Sequence, residues 1–284
     1  MSVDINNMDN QIKLIAFDLD GTFLDDKKNI PPENLEAVDA AAEKGIFIVP
    51  ATGRLFKAMP EEFRARKHFR YYLLINGAYV YDSLEDRVIY KGNIPQDTAL
   101  QIMEYGDTLP CLYDIYSDGT GYMNQTMYDV LDDYMPDKNY LKMMRSIREG
   151  VPNLKEVVRS GREVQKMQYF FTDIAERNRQ IPELQHRFPD CKVSSSLATN
   201  IEINYKTAGK GLALNALCRE LGVSIENAVA FGDGTNDTEM ILAAGMGIAM
   251  KNAAEPVKAA ADMITEEDNN AGGVGRTIKR LLGL

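Results

Sequence analysis

The fold is decided by the stretch LIAFDLDGT, residues 14–22, in which four apolar residues run directly into two aspartates separated by one residue. A continuous apolar run of this length is typical of a strand buried on both faces of a parallel sheet. Side chains that follow such a strand face the crevice where open α/β sheets bind ligands, and Gly21 supplies a turn with exposed backbone amides there. The stretch predicts a place that can hold an anion and a divalent cation, with an acidic strand-end turn as the alternative.

A second acidic turn lies far downstream, where AVAF, residues 228–231, leads into GDGTND, residues 232–237. By itself this pattern is also typical of a loop in front of an N-capped helix. Its position after an apolar strand favours a site, because Mg²⁺ prefers oxygen ligands from one or two carboxylates, waters and a substrate phosphate. The predicted ligands are Asp18, the Asp20 carbonyl and Asp233, with Asp237 holding a water.

Two further strand ends and one helix start offer groups for a phosphate. Residues 46–50 precede Ala51-Thr52-Gly53-Arg54, and residues 72–75 precede Asn76-Gly77. Taken separately, Thr52 is typical of a helix cap and Asn76-Gly77 of a hairpin turn. Lys210 lies between two glycines where an apolar periodic stretch begins, so its ammonium is expected beside a phosphate at a helix N-terminus, with a solvated first-turn lysine as the alternative.

Taken in order along the chain, these motifs resemble those of haloacid dehalogenase-like hydrolases, and most closely the Cof-type phosphatases. The resemblance extends over nearly the whole chain past about residue 10. It implies that Asp18 is the nucleophile and Asp20 the general acid and base, with Thr52 and Lys210 as further catalytic residues. It also implies a substrate phosphate bound by Thr52, Gly53, Arg54, Asn76, Lys210 and Asn236, and Mg²⁺ bound by Asp18, Asp20, Asp233 and Asp237.

The chemistry of these residue types agrees with those roles. A carboxylate such as Asp18 can be phosphorylated in one step and dephosphorylated in a second, which divides a difficult displacement in two. Mg²⁺ and Lys210 offset the repulsion between Asp18 and an anionic substrate. Asp20 can protonate the leaving oxygen and then activate water. By resemblance, relatives that preserve the acyl phosphate for a pump cycle carry Thr at this position, so Asp20 indicates hydrolysis.

One departure from the family pattern lies at residues 246–253, where Lys251 replaces the usual Gly of an Ala-Met-Gly-Asn-Ala stretch. A lysine is unfavourable if this position needs a positive φ. Either Lys251 adds a second cation to the phosphate site, or its side chain points to solvent, which is the favoured alternative.

Composition restricts the classes of protein and partner. A chain of 284 residues with 45% hydrophobic and 26% charged residues predicts a soluble globular protein of one or two domains. The net charge of −10 counts against nucleic acid and anionic membrane partners. Three cysteines and two histidines count against a disulfide framework or a zinc site. With a polar start at residues 1–11 that lacks signal-peptide features, we expect a cytoplasmic protein that is a monomer or weak homodimer.

The order of predicted elements gives the domain organisation. A strand, a helix over 32–43, a second strand, a helix around 55–66 and a third strand alternate, which predicts an α/β Rossmann-like parallel sheet with helices on both faces. Strands then cluster without that alternation, which predicts an inserted α+β domain. We therefore expect a catalytic core at 1–92 and 206–284 and, by resemblance, a cap domain at 93–205 that closes over the site.

The predicted function is a Mg²⁺-dependent phosphatase that hydrolyses a small phosphorylated metabolite through an aspartyl phosphate. By resemblance, sugar phosphates are the leading substrate class. Two alternatives remain open at this point: a phosphomutase that uses the same intermediate, and a non-catalytic protein that senses a phosphorylated metabolite.

Overall fold

The computed structural model describes residues 12–135 and 137–284, and the expectation for residues 1–11 lies outside this part of the chain. The chain divides into two compact units. The first comprises the residues up to Gly53, Pro60–Tyr90 and Gly209–Leu284, and the second comprises Arg54–Met59 and Lys91–Ala208. Among the described residues, no helix is both long enough and apolar enough to span a membrane.

The described strands are β1 Leu14–Phe17, β2 Phe47–Pro50, β3 Tyr71–Leu74, β4 Tyr79–Asp82, β5 Arg87–Lys91, β6 Cys111–Ser117, β7 Thr120–Asn124, β8 Arg148–Val151, β9 Lys166–Phe171, β10 Cys191–Ser194, β11 Asn200–Tyr205, β12 Ala228–Gly232, β13 Met246–Ala249 and β14 Met263–Ile264. The described α-helices are α1 Pro32–Glu43, α2 Glu61–Ala65, α3 Gln96–Gly106, α4 Gln125–Asp129, α5 Leu131–Tyr134, α6 Lys138–Ser146, α7 Leu154–Arg159, α8 Ile174–Arg187, α9 Lys210–Leu221, α10 Thr238–Ala243, α11 Glu255–Ala260 and α12 Gly273–Leu282.

A parallel sheet with the order β14-β13-β12-β1-β2 forms the centre of the first unit. Strand β1 lies between β12 and β2, and Phe17 pairs with Phe231 at the last position of its ladder with β12. The chain continues this pairing for one step, since the N–H of Asp18 donates to the Phe231 carbonyl at 3.0 Å. The two acidic turns therefore leave the sheet side by side, although more than 200 residues separate them.

Helices cover both faces of this sheet, as the apolar runs predict. Leu14 and Ala16 of β1 pack in one buried cluster with Leu214 of α9. Because side chains alternate along a strand, Phe17 points to the other face, where its ring stacks on Phe23 with a centroid distance of 4.1 Å. Phe63 of α2 lies 6.4 Å from the Phe17 ring on the same face. The α/β class with a parallel sheet and helices on both faces is confirmed.

Two local predictions differ from the structure. The helix expected around 55–66 is wrong, because only a 3-10 turn at Phe56–Ala58 and the short α2 form there. Pro60 explains the break: it has no N–H to donate, and it holds Met59 in an extended conformation. The strand before Asn76 joins the parallel sheet only through a bridge between Ala51 and Leu73, and it pairs antiparallel with β4.

The second unit is built on a mixed sheet with the order β10-β11-β9-β6-β7-β8. One face forms a large apolar core with residues of α3, α7 and α8, and Tyr113 is fully buried there. The other face packs against α4 to α6 through a smaller cluster that includes Met123, Met144 and Phe170. Asp118 and Gly119 form the turn between β6 and β7, with positive φ at both residues.

The three cysteines are free and buried. Burial raises the pKa of the Cys111 thiol to about 12 and those of Cys191 and Cys218 to about 11. Such thiols are protonated at neutral pH and are poor nucleophiles.

Candidate active site

The candidate site lies where β1 and β12 end, and its centre is a set of three carboxylates. Asp18 follows β1, Asp233 follows β12, and Asp237 lies one turn further along the second loop. One oxygen of each carboxylate lies within 4.8 Å of the others. The parallel pairing of β1 with β12 explains this proximity, because strands that run side by side deliver their following residues to the same edge of the sheet.

Lys210 lies in the middle of this acidic set. Its ammonium donates to Asp18 Oδ1 and to Asp237 Oδ1, both at 2.5 Å, and its side chain is fully buried. Lys210 is the first residue of α9, and Gly209 is the N-cap of this helix. The alternative of a solvated first-turn lysine is therefore wrong.

The loop after β12 is closed by Asp237. Its Oδ2 accepts hydrogen bonds from the backbone N–H groups of Asp233 and Gly234, at 3.0 and 2.9 Å. Gly232 is required here, since a Cβ at that position would lie 2.3 Å from the Cβ of Asp237. With one oxygen on Lys210 and the other on two amides, Asp237 acts mainly to orient the ammonium and the loop.

Thr22 holds Asp233, a contact that the sequence analysis did not anticipate. The Thr22 hydroxyl donates to Asp233 Oδ1 at 2.6 Å. Gly21 has a φ of +87°, and a Cβ there would lie 2.4 Å from Asp233 Oδ2, so the turn admits no larger residue. The Gly-Thr pair in the motif was the available signal for this contact.

Burial and repulsion control the charge of these carboxylates. Burial raises the pKa of Asp18 well above its ordinary value; Lys210 counteracts this rise, and Asp237 and Asp233 add to it. Burial likewise raises the pKa of Asp233 to about 6, opposed by the hydrogen bond from Thr22. For Lys210, burial alone would lower the pKa, but the two flanking carboxylates outweigh it and raise the pKa. The ammonium is therefore charged at neutral pH.

The donor set fits a hard divalent cation. Three buried or half-buried carboxylates within 4.8 Å supply oxygen ligands, which Mg²⁺ prefers. Lys210 neutralises one of the three negative charges, so the cluster keeps an excess of negative charge for a cation to offset. Asp18 and Asp233 are the residues best suited to bind it directly.

Three predicted phosphate-binding segments meet next to this cluster. The N–H of Asn76 donates to the Thr52 carbonyl at 3.1 Å. A Cβ on Gly53 would lie 2.7 Å from the Asn76 side-chain oxygen, and a Cβ on Gly77 would lie 2.6 Å from the backbone nitrogen of Lys210. Asn76-Gly77 is also the turn between β3 and β4, so the hairpin interpretation and the placement beside Lys210 both hold.

Asp20 lies at the exposed side of the site. Its side chain is 41% exposed, and Oδ1 lies 2.9 Å from the ammonium of Lys28, a residue that the sequence analysis did not single out. Its negative charge still contributes to the raised pKa of Asp233. Such a carboxylate has access both to the site and to water, which suits a group that exchanges protons.

Asn236 is exposed, and Arg54 begins the segment of the second unit at Arg54–Met59. Lys251 has a negative φ, and its 59% exposed side chain lies 3.8 Å from Glu267, in agreement with the solvent-facing alternative.

Asn252, the asparagine of the stretch 246–253, makes contacts that the sequence does not predict. Asn252 donates from Nδ2 to the Gly21 carbonyl at 2.7 Å, and its Oδ1 accepts from the N–H of Asn269. Asn269 in turn donates to the Leu24 carbonyl. These contacts fasten the loop after β1 to the C-terminal part of the first unit, and no local pattern in the sequence shows them.

Comparison with known proteins gives consistent matches along the chain. The family model described as haloacid dehalogenase-like hydrolase matches residues 15–278. A 5-amino-6-(5-phospho-D-ribitylamino)uracil phosphatase of Bacillus subtilis, YcsE, is 31% identical, and the match covers 98% of each chain. The pyridoxal phosphate phosphatase YbhA of Escherichia coli is 29% identical over 94% of this chain and 97% of its own. Among solved structures, the subclass IIB sugar phosphatase BT4131 superimposes with a TM-score of 0.76 at 27% identity, covering 94% of this chain and 98% of its own.

Proposed function

Because the chain belongs to the haloacid dehalogenase-like hydrolases, we propose that it is a Mg²⁺-dependent phosphatase of small phosphorylated metabolites, with sugar phosphates as the leading class. The enzyme class is phosphoric monoester hydrolase. The observation that carries the proposal is the buried ammonium of Lys210 between Asp18 and Asp237, with Asp233 beside them.

The first chemical step uses Asp18 as the nucleophile. A carboxylate oxygen of Asp18 forms a bond to phosphorus while the bond from phosphorus to the leaving oxygen breaks. Lys210 supports this step in two ways. Its hydrogen bond favours the ionised form of Asp18, and its charge offsets the repulsion between Asp18 and an anionic substrate. Bound Mg²⁺ would neutralise part of the charge on the phosphoryl oxygens.

Asp20 completes both proton transfers. In the first step Asp20 gives a proton to the leaving oxygen. In the second step it takes a proton from water, and the water oxygen attacks phosphorus, which releases Asp18 and inorganic phosphate. Thr52, Asn76 and Lys210 belong to adjacent segments that would bind the phosphoryl oxygens. The position of Asp20 at the exposed side of the carboxylate cluster supports this role.

The substrate class rests on what the relatives act on. YcsE is named for a phosphorylated ribitylamino compound, YbhA for pyridoxal phosphate and BT4131 for sugar phosphates. All three names describe small phosphate esters with different organic parts. The core motifs recognise only the phosphoryl group and the metal, so the proposal assigns the choice of organic part to residues 93–205, as an inserted cap domain.

A phosphoester panel with and without Mg²⁺ tests this proposal. The panel should include sugar phosphates, pyridoxal phosphate and a phosphorylated ribityl compound, and inorganic phosphate release should be measured in Mg²⁺ and in excess chelator. We expect Mg²⁺-dependent turnover that is fastest with a sugar phosphate. A faster rate with pyridoxal phosphate would keep the phosphatase and overturn the sugar preference.

Two other results would select the alternative functions. An isomerised sugar phosphate in place of inorganic phosphate would identify a phosphomutase. Ligand-induced thermal stabilisation without any turnover across the panel would identify a sensor.

Replacing residues 93–205 with the equivalent segment of a relative should change the order in which the enzyme prefers its substrates. An unchanged order would place specificity in the first unit.

A further inference from the structure

The turn between β3 and β4 has an unusual backbone. Ile75, Asn76 and Gly77 have φ values of 55°, 56° and 83° in succession. Glycine and asparagine adopt this left-handed region readily, but a β-branched residue such as isoleucine rarely does. Ile75 is also fully buried, so its side chain is fixed in the protein interior while its backbone is held in an unfavourable conformation.

The same turn contacts the two other segments that we assign to phosphate binding. The Asn76 N–H donates to the Thr52 carbonyl, and the Asn76 side-chain oxygen lies over Gly53, where a Cβ would be only 2.7 Å away. Gly77 lies against the backbone of Gly209 and Lys210, where a Cβ would be 2.3 Å from the Gly209 carbonyl carbon. The turn therefore holds the Thr52 segment and the first residue of α9 at fixed positions relative to Asn76.

A turn that continued β3 in an extended conformation could not make these contacts. Left-handed residues reverse the chain within one step, which directs the Asn76 side chain toward Gly53 and lets Gly77 approach α9. Strained residues persist where the surrounding structure determines them, and they are concentrated at functional sites. Here the buried Ile75 side chain is the part of the turn that can anchor the backbone.

We propose that Ile75 is a positioning residue for phosphate binding, whose buried side chain holds the turn 75–77 in its left-handed conformation and so fixes Asn76 against the Thr52 and Lys210 segments. This inference rests on the proposed phosphatase function. It predicts that glycine in place of Ile75 regains stability relative to alanine without regaining activity.

Ile75→Ala and Ile75→Gly are the informative pair, because both remove the anchor but only glycine relieves the strain. We expect Ile75→Gly to melt about 2–4 °C above Ile75→Ala. Ile48 in the middle of β2 provides the matched control, since it is buried and β-branched but has an extended backbone. There the order should be reversed, with Ile48→Gly melting below Ile48→Ala.

Activity should not follow that order at position 75, because Ile75→Ala and Ile75→Gly both lack the side chain that anchors the turn. With p-nitrophenyl phosphate and Mg²⁺, we expect Ile75→Gly to lose at least about tenfold in kcat/KM and to bind inorganic phosphate, measured as a competitive inhibitor, about tenfold more weakly than wild type. Ile75→Val keeps the β-branch and should restore most of both values. If the larger truncations do not fold, Ile75→Val carries the test: we expect inorganic phosphate to inhibit it about twofold more weakly than wild type, and inhibition equal to wild type would overturn the inference.

The possible failures are distinguishable. Absence of turnover in the wild-type protein would overturn the proposed function, and with it the catalytic part of this inference. In an active protein, two results would overturn the inference itself. One is Ile75→Gly melting below Ile75→Ala, as at Ile48. The other is a kcat/KM and a phosphate inhibition that follow the melting temperatures of the variants. Wild-type values of both quantities in Ile75→Val and in Ile75→Gly would also overturn it.

Discussion

Replacement of Lys210 by methionine tests the electrostatic design of the site most directly. Methionine keeps an unbranched side chain of similar length and removes the charge that donates to Asp18 and Asp237 at 2.5 Å. Removing one partner of a buried ion pair costs about 3–5 kcal/mol of folding free energy, because the other partner is left as an uncompensated buried charge. Here two carboxylates lose their partner, and they are already close to a third. We therefore expect a loss of about 3–5 kcal/mol at pH 8 in chelator.

The loss should become smaller as the pH falls. Burial already holds the pKa of Asp18 above its ordinary value in the presence of Lys210, and it would rise further without the ammonium. A carboxyl group whose pKa is raised on folding destabilises the protein above that pKa, and this penalty disappears as the group is protonated. Lys210→Met should therefore recover stability between pH 8 and pH 5, relative to wild type.

Urea unfolding monitored by circular dichroism, in excess chelator at pH 8 and pH 5, measures both effects. Lys258→Met is the matched control, since Lys258 pairs with the exposed Glu255 at 3.1 Å and should contribute less than about 0.5 kcal/mol. Saturating Mg²⁺ should restore about 2–3 kcal/mol to Lys210→Met at a hundredfold excess over its dissociation constant. A Lys210→Met protein within about 1 kcal/mol of wild type at pH 8 would refute the reasoning.

The remaining predictions concern metal, protons and a structural ion pair. Chelation should abolish turnover and Mg²⁺ should restore it, whereas Ca²⁺ should substitute poorly because its coordination shell is larger and looser; full activity in chelator would contradict the metal site. Asp18→Asn should eliminate turnover. With a substrate that has a good leaving group, Asp20→Asn should accumulate phosphate covalently on Asp18, which rapid quench and mass spectrometry can detect. Wild-type turnover in Asp20→Asn would remove Asp20 from the mechanism. Asp82→Asn should cost about 1–3 kcal/mol, because buried Asp82 accepts two hydrogen bonds from Arg70, at 2.8 and 2.6 Å. Hydrogen bonds from Arg70 lower the pKa of Asp82, so this stabilisation is present at neutral pH and is lost as the pH falls through that lowered pKa. The free energies of unfolding of wild type and Asp82→Asn, measured in urea, should therefore converge in acid.

Local sequence predicted the strands that build the site. The apolar run at 14–17 coincides with β1, and the helix predicted from Pro32 to Glu43 coincides with α1. These elements depend on neighbouring residues, namely the apolar run and the proline and glycine at the helix ends. The helix expected around 55–66 does not form as one element, because Pro60 holds Met59 in an extended conformation, and this cause is local as well.

The roles of individual residues within the site were harder to predict from the sequence. Asp237 was predicted only to hold a water, and the structure adds that its oxygens accept from Lys210 and from two backbone amides. The Lys28 contact to Asp20 and the Asn252 contact to Gly21 were not anticipated at all. Such contacts depend on side-chain directions and loop conformations, which the hydrophobic pattern of the sequence does not predict.

The sequence by itself determined which residues end strands β1 and β12 and which of their side chains can carry phosphoryl chemistry, because apolar runs and acidic glycine turns are properties of short segments. Only the tertiary structure decided that Asp18 and Asp233 lie together, through the parallel pairing of β1 with β12, and that Lys210 is buried between Asp18 and Asp237. The pairing register and the burial depend on contacts between residues more than 190 positions apart, from Asp18 to Lys210. A short segment does not specify which distant segment it will meet, because that choice is made by the packing of the whole unit.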